Sequence, residues 1–138
     1  MKSYELIPHT ADIRLKVKAK TQKELFVSAC EGMSQILKKD FFRKASRCPL
    51  NLKVSVSSVD QTTLLIDFLS EILTLSQEHH AIFGKVYFLK FSQTSLLAKI
   101  CGAKVDQFDN DIKAVTYHQA EVKKNPKGEW ETTVIFDI

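Results

Sequence analysis

Four glycines in 138 residues leave little material for a loop that cradles phosphate. Neither Gly-x-x-x-x-Gly-Lys-Ser/Thr nor Gly-x-Gly-x-x-Gly occurs, and Gly-x-Ser-x-Gly and His-Glu-x-x-His are missing too. A nucleotide-using or serine-nucleophile enzyme is thereby disfavoured. The three cysteines, Cys30, Cys48 and Cys101, are odd in number, widely spaced and without a Cys-x-x-Cys pair. This argues against a disulfide framework and a structural zinc site; Cys30 and Cys101, set among apolar residues, read as small core fillers. No signal peptide opens the chain and no apolar run is long enough to span a bilayer, so the default location is the cytoplasm, with no membrane partner. Internal repeats, low-complexity tracts and linker-like stretches are absent as well.

What is present is ordinary globular material, 44% apolar and 26% charged, in a length that suits one domain over residues 1–138. The net charge of +4 suits approach to an RNA-bearing partner but is too small to predict nucleic-acid binding by itself. The densest basic stretch, Lys38, Lys39, Arg43, Lys44 and Arg47, is broken by Phe41 and Phe42 and reads as solvated surface.

Residues 4–7 read as a short strand that Pro8 ends, because proline lacks the N–H a ladder needs. From Asp12 onward Ile13, Leu15 and Val17 alternate with Arg14, Lys16 and Lys18, the pattern of a strand with one wet face. Thr21 and Glu24 form a capping box before a helix to about Lys39, whose stripe is Leu25, Phe26, Ala29, Cys30, Met33, Ile36 and Leu37. Leu50, Leu52, Val54 and Val56 mark another one-faced strand. Ser58 and Gln61 resemble a second capping box, before a helix burying Leu64, Leu65, Phe68, Leu69, Ile72 and Leu73. Residues 86–91 and 96–101 form a hairpin about the turn 92–95; residues 112–123 and 130–137 form another about Asn-Pro-Lys-Gly. The order β-β-α-β-α-β-β-β-β predicts an α+β fold of two layers, a mainly antiparallel or mixed sheet with two amphipathic helices on one face.

Two places carry candidate chemistry. His9-Thr10-Ala11-Asp12 lies between two strands, and both His9 and Asp12 can bind a metal or transfer a proton. The bland alternative is a turn in which Asp12 accepts backbone amides. At the far end, Asp137 and the terminal carboxylate of Ile138 are held together by a strand-forming run. They repel each other unless a cation or donors intervene, and calcium or magnesium prefers such oxygens; alternatively both simply face water. A hairpin centred on Pro126 and Lys127 places Asp137 opposite Thr116 with His118 diagonal to it, and Lys113 just beyond the strand end. Asp67 and Glu71 share one helix face, which solvation explains equally well. The acidic loop Asp106, Asp109, Asn110 and Asp111 lacks the glycine and terminal glutamate of an EF-hand.

The chain resembles archease. The resemblance is carried by Tyr4-Glu5, His9-Thr10-Ala11-Asp12-Ile13, LIDFLSEIL at 65–73, IKAVTYH at 112–118, Trp130 and the closing VIFDI at 134–138, in the family's order from end to end. Ala103, where an acidic residue is frequent in the family, and the loop 104–111 depart from the pattern. The resemblance implies a protein that is not an enzyme but a cofactor of the GTP-dependent tRNA-splicing RNA ligase, promoting its guanylylation and multiple turnover, with tRNA or RNA associated indirectly. It places a divalent cation, calcium in the first instance, on Asp12, Asp137 and Ile138, with His9, Glu71 and Lys113 as neighbours; the hairpin register, taken by itself, adds Thr116 or His118 as a group to orient the Asp137 carboxylate. Two other functions stand beside it: a chaperone-like or tRNA-modification modulator that binds protein or RNA clients through the sheet, and a metal-dependent hydrolase with His9 or His118 as base.

Overall fold

The structure is a computed structural model and describes residues 2–4, 12–41 and 48–138. The expected first strand at 4–7 and His9 lie largely outside these residues; Tyr4 itself is not in a strand. The elements run β1 (Asp12–Ala19), α1 (Gln22–Leu37), β2 (Leu50–Ser57), α2 (Gln61–His79), β3 (Ala81–Phe91), β4 (Ser95–Lys104), β5 (Ala114–Thr116), β6 (Lys123–Lys124) and β7 (Trp130–Asp137). The α+β class stands. The strands, however, divide into two antiparallel sheets rather than one: β1-β7-β5, with β6 also paired to β7, and β2-β4-β3. Among the described residues no helix is long and apolar enough to cross a membrane.

The alternation of β1 does its predicted work. Ile13, Leu15 and Val17 lie opposite Phe136, Val134 and Thr132 on the core side, while Asp12, Arg14, Lys16 and Lys18 face outward. Thr21 caps α1, its hydroxyl accepting from the Glu24 amide at 3.1 Å, and Leu25, Phe26, Ala29, Cys30, Met33 and Leu37 are buried as the spacing requires. The Cys30 thiol donates to the Phe83 carbonyl at 3.3 Å, and burial, followed by the charge of Glu31, pushes its pKa up to about 12. Phe26 packs with Phe68 and Phe91, at 6.1 and 5.0 Å between ring centroids, so the helices and the β2-β4-β3 sheet share one core.

The acidic loop after β4 closes the end of α1. Asp109 accepts from the Lys39 amide at 2.9 Å and the Lys38 ammonium at 3.1 Å, and its own amide donates to the Leu37 carbonyl at 2.7 Å. Those hydrogen bonds, the Lys39 amide first, hold the Asp109 carboxyl below its ordinary range. The side-chain amide of Asn110 donates to the Ile36 carbonyl at 2.8 Å, so this loop satisfies orphan groups of a helix end.

Three expectations need correction. The cap of α2 is Asp60, which accepts from the Thr63 amide at 2.8 Å; Ser58 turns away to Asp67. The single strand expected over 112–123 is broken into β5 and β6. Thr116 pairs with Ile135 and Lys123 with Glu131, so seven steps of chain from 116 to 123 span four from 131 to 135. The surplus leaves the ladder at 117–122, where Gln119 takes a φ of 58° and the Val122 amide bonds the Thr62 hydroxyl of α2 at 2.9 Å.

The third correction concerns the cysteines. Cys48 and Cys101 pair as a disulfide, with Cα atoms 5.5 Å apart across 53 residues of sequence. The odd count misleads because Cys30 is the free one, and the 53-residue separation hides a direct approach of the chain entering β2 to β4. Without reductant, Cys48→Ser is expected to lower unfolding free energy by about 2–4 kcal/mol, a gap that closes when reductant is added to the wild type. Alkylation after denaturation, finding all three thiols free in unreduced protein, would contradict the pairing.

Candidate functional site

The β1–β7 ladder brings the two ends of the described chain together. Asp12 is the direct cross-strand partner of Asp137, and both are exposed on the outer face because Ile13 and Phe136 take the inner one. Side chains so opposed start from Cβ atoms about 4.5–5.5 Å apart, and like charges directly opposite destabilise the pair. Among the described residues the ion-pair partner of Asp12 is Arg14, whose guanidinium lies 3.8 Å from the Asp12 carboxylate and also donates to the side-chain oxygen Oε1 of Gln119 at 3.3 Å. An ion pair this exposed offsets little.

The remaining candidate residues are placed as follows. The Lys113 amide donates to the main-chain oxygen of Asp137 at 2.7 Å, so Lys113 is fixed beside the pair by its backbone. Thr116 is not opposite Asp137: Ala114 is, and Thr116 faces Ile135, whose carbonyl accepts from its hydroxyl at 3.0 Å. His118 is exposed in the segment that leaves the ladder, beyond the end of β5. The expected register shifts by two residues because the surplus at 117–122 replaces a continuous hairpin. His9 lies outside the described residues. Among the described residues no three of His, Cys, Asp and Glu gather into a metal-holding group.

The donors among the described residues suit a hard cation: two carboxylates on one face of paired strands, with Ile138 next to Asp137 in sequence. Such an ion would also relieve the repulsion of the opposed pair.

Glu71 stands on α2. It lines a cleft of about 420 Å³ between α2, β2 and the end of β5, with Ser55, Ser57, Asp67, Ser70 and Tyr117. There Asp67 accepts from the Ser58 hydroxyl at 2.6 Å and from the Tyr117 hydroxyl. Sequence reading treats Tyr117 as a strand residue only, and no local signal marks it, since its partner is 50 positions away on another element. The hydrogen bond to Asp67, then partial burial, then the carboxylate charge raise the Tyr117 pKa above its ordinary value. The neutral phenol is favoured in the folded state, so this contribution to stability is present below the unfolded phenol pKa of about 10 and is lost as pH rises through the raised folded value. Asp67→Asn is expected to return Tyr117 toward the ordinary value, seen as an earlier tyrosinate absorbance step. An unchanged titration would show that the contact is not formed in solution.

A fold of two helices against two antiparallel sheets, carrying a carboxylate pair across its β1–β7 ladder, has relatives. Residues 4–138 match the model of the Archease protein family. The protein archease of Methanosarcina barkeri is 32% identical over 99% of this chain and 97% of its own length, and that of Thermococcus gammatolerans is 29% identical over the whole of both. Among solved structures, protein 1598 of Methanobacterium thermoautotrophicum superposes with a TM-score of 0.74 at 22% identity, covering 96% of each chain. A Thermotoga maritima archease, described as a possible chaperone, gives 0.64 at 16% identity over 100% of this chain and 99% of its own. The chain belongs to the archease family.

Proposed function

We propose that this chain is a non-catalytic activator of the GTP-dependent tRNA-splicing RNA ligase, acting through a divalent cation, calcium, held by Asp12, Asp137 and the main-chain oxygen of Ile138. The observation that carries this reading is the direct pairing of Asp12 with Asp137 on an exposed face. Family membership supports the activator role, and the all-oxygen donor set supports the choice of a hard cation. The bound cation supplies concentrated positive charge at the tip of the sheet. Asp12 and Asp137 hold it from two strands whose spacing the ladder fixes. The 2.7 Å bond from the Lys113 amide keeps the main chain of Asp137 in place, and the Lys113 ammonium and His9 would complete the polar tip. That tip docks at the ligase active site and helps arrange GTP for guanylyl transfer to the ligase histidine; at the tip itself RNA is met through the ligase. The protein works in the cytoplasm.

The test is a ligation assay with ligase limiting. Added protein is expected to raise both the guanylylated fraction of the ligase and the number of turnovers. Protection of an unfolded client from aggregation, with no effect on ligation, would instead favour the chaperone role named for the Thermotoga relative.

A further inference from the structure

The outer face of the β2-β4-β3 sheet takes no part in the function above. Its three strands contain five lysines and no aspartate or glutamate. The acid-free sheet therefore carries more positive charge than the whole molecule, whose net charge is +4. The other sheet mixes signs, with Asp12, Glu131 and Asp137 among its bases.

The register collects this charge on one side. Three rows cross the sheet: Asn51, Cys101 and Lys85; Lys53, Lys99 and Tyr87; Ser55, Leu97 and Lys90. The intervening rows, such as Val54, Ala98 and Phe88, face the core. Lys53 stands directly opposite Lys99, an arrangement that destabilises an isolated sheet. Among the described residues neither lysine has an ion-pair partner. Beside them Tyr87 is 57% exposed, and Leu89, at the bulge of β3, is 54% exposed. Like charge around an exposed aromatic ring matches a ligand with a polyanionic backbone and free π-faces.

We infer that this sheet face binds single-stranded RNA, with Lys53, Lys85, Lys90 and Lys99 on phosphates and a base stacked on Tyr87. A duplex hides its base faces, whereas a single strand offers them beside its phosphates. The choice of RNA over DNA rests on the proposed function; the single polyanionic strand does not. The face is separate from the Asp12–Asp137 pair, so the full chain binds a strand without the ligase.

Fluorescence anisotropy of a labelled oligouridine with the full chain tests this. Affinity is expected to fall with salt at a log–log slope of about −3, the value for four phosphates on a single strand. Tyr87→Ala weakens binding about tenfold with the slope unchanged, and Tyr87→Phe restores it. The Lys53→Ala, Lys99→Ala double variant weakens binding and flattens the slope by about 1.4, while melting no lower than wild type, since it removes a repulsion. A Lys16→Ala, Lys18→Ala control on β1 leaves binding in place. No salt-dependent binding would overturn the inference, as would loss of binding in the β1 control alone. Tighter binding of the deoxy strand, of duplex RNA or of phosphatidylserine vesicles would overturn it equally.

Discussion

Asp12→Ala is expected to abolish stimulation of the RNA ligase while leaving the protein folded and its melting temperature unchanged or slightly higher. Asp12 is exposed, and its cross-strand partner is another carboxylate. Removing it relieves a repulsion and forfeits only a weak exposed contact with Arg14 at 3.8 Å. Surface changes of this kind stay within about 0.5 kcal/mol. The functional effect is far larger, because one of two side-chain oxygen donors to the cation is lost. Asp137→Ala is expected to behave alike, and the double variant no worse than either single, since the two act as a unit. Guanylylation and turnover would be measured at limiting ligase across a range of variant concentrations. Full stimulation by a folded Asp12→Ala protein would remove the carboxylate pair from the mechanism.

Gly102→Ala is expected to be the most damaging small substitution in the fold. Gly102 is buried in β4, opposite the point where β3 carries one residue too many: Ile82 pairs with Ala103 and Lys85 with Cys101, three steps against two. A Cβ at 102 would run into the main-chain oxygen of Ile82 and lie 2.7 Å from the Phe83 ring. The first of these is backbone, which cannot rotate away. Such overpacking costs about 3 kcal/mol, or about 10 °C in melting temperature for a domain of this size. Gly32→Ala supplies the contrast. Its added Cβ meets only the Leu15 side chain, at 2.5 Å, which can change rotamer, and alanine favours the helix by about 1 kcal/mol over glycine. That variant is expected to fall within about 1 kcal/mol of wild type. Thermal melts of both decide the matter; equal stability would mean that the β3 bulge is not rigid.

The sequence makes β1 and both helices readable because each buries a face at its own period, and β7 because residues 130–137 are a strand-forming run. Ile13, Leu15 and Val17 repeat every second residue, while Leu64, Leu65, Phe68, Leu69, Ile72 and Leu73 repeat at helical spacing. Residues 130–137 form β7 with the bounds their composition indicates. Segment 112–123 is less readable. Strand-forming residues run through it, yet the Glu121 and Val122 amides donate to the hydroxyls of Thr132 and Thr62, which holds part of it off the ladder. This is why Thr116 and His118 do not meet Asp137 as a plain hairpin would have them. The Cys48–Cys101 bond and the Tyr117–Asp67 contact join residues 53 and 50 positions apart, and the division into two sheets rests on which strands pair across the chain. No local periodicity encodes such pairings. Asp12 and Asp137 are the exception among distant pairs: each stands at the end of a strongly patterned strand, so matching the two strands end to end is enough to join them.

Calorimetric titration of calcium into the protein and into its Asp12→Asn and Asp137→Asn forms tests the account at its centre. The wild type is expected to bind one ion saturably and to gain about 2.7 kcal/mol of stability at a hundredfold excess over Kd, with each amide variant weakened tenfold or more. A wild type that takes up no divalent ion, or amide variants that bind as tightly as the parent, would show that these two strands do not converge on a cation.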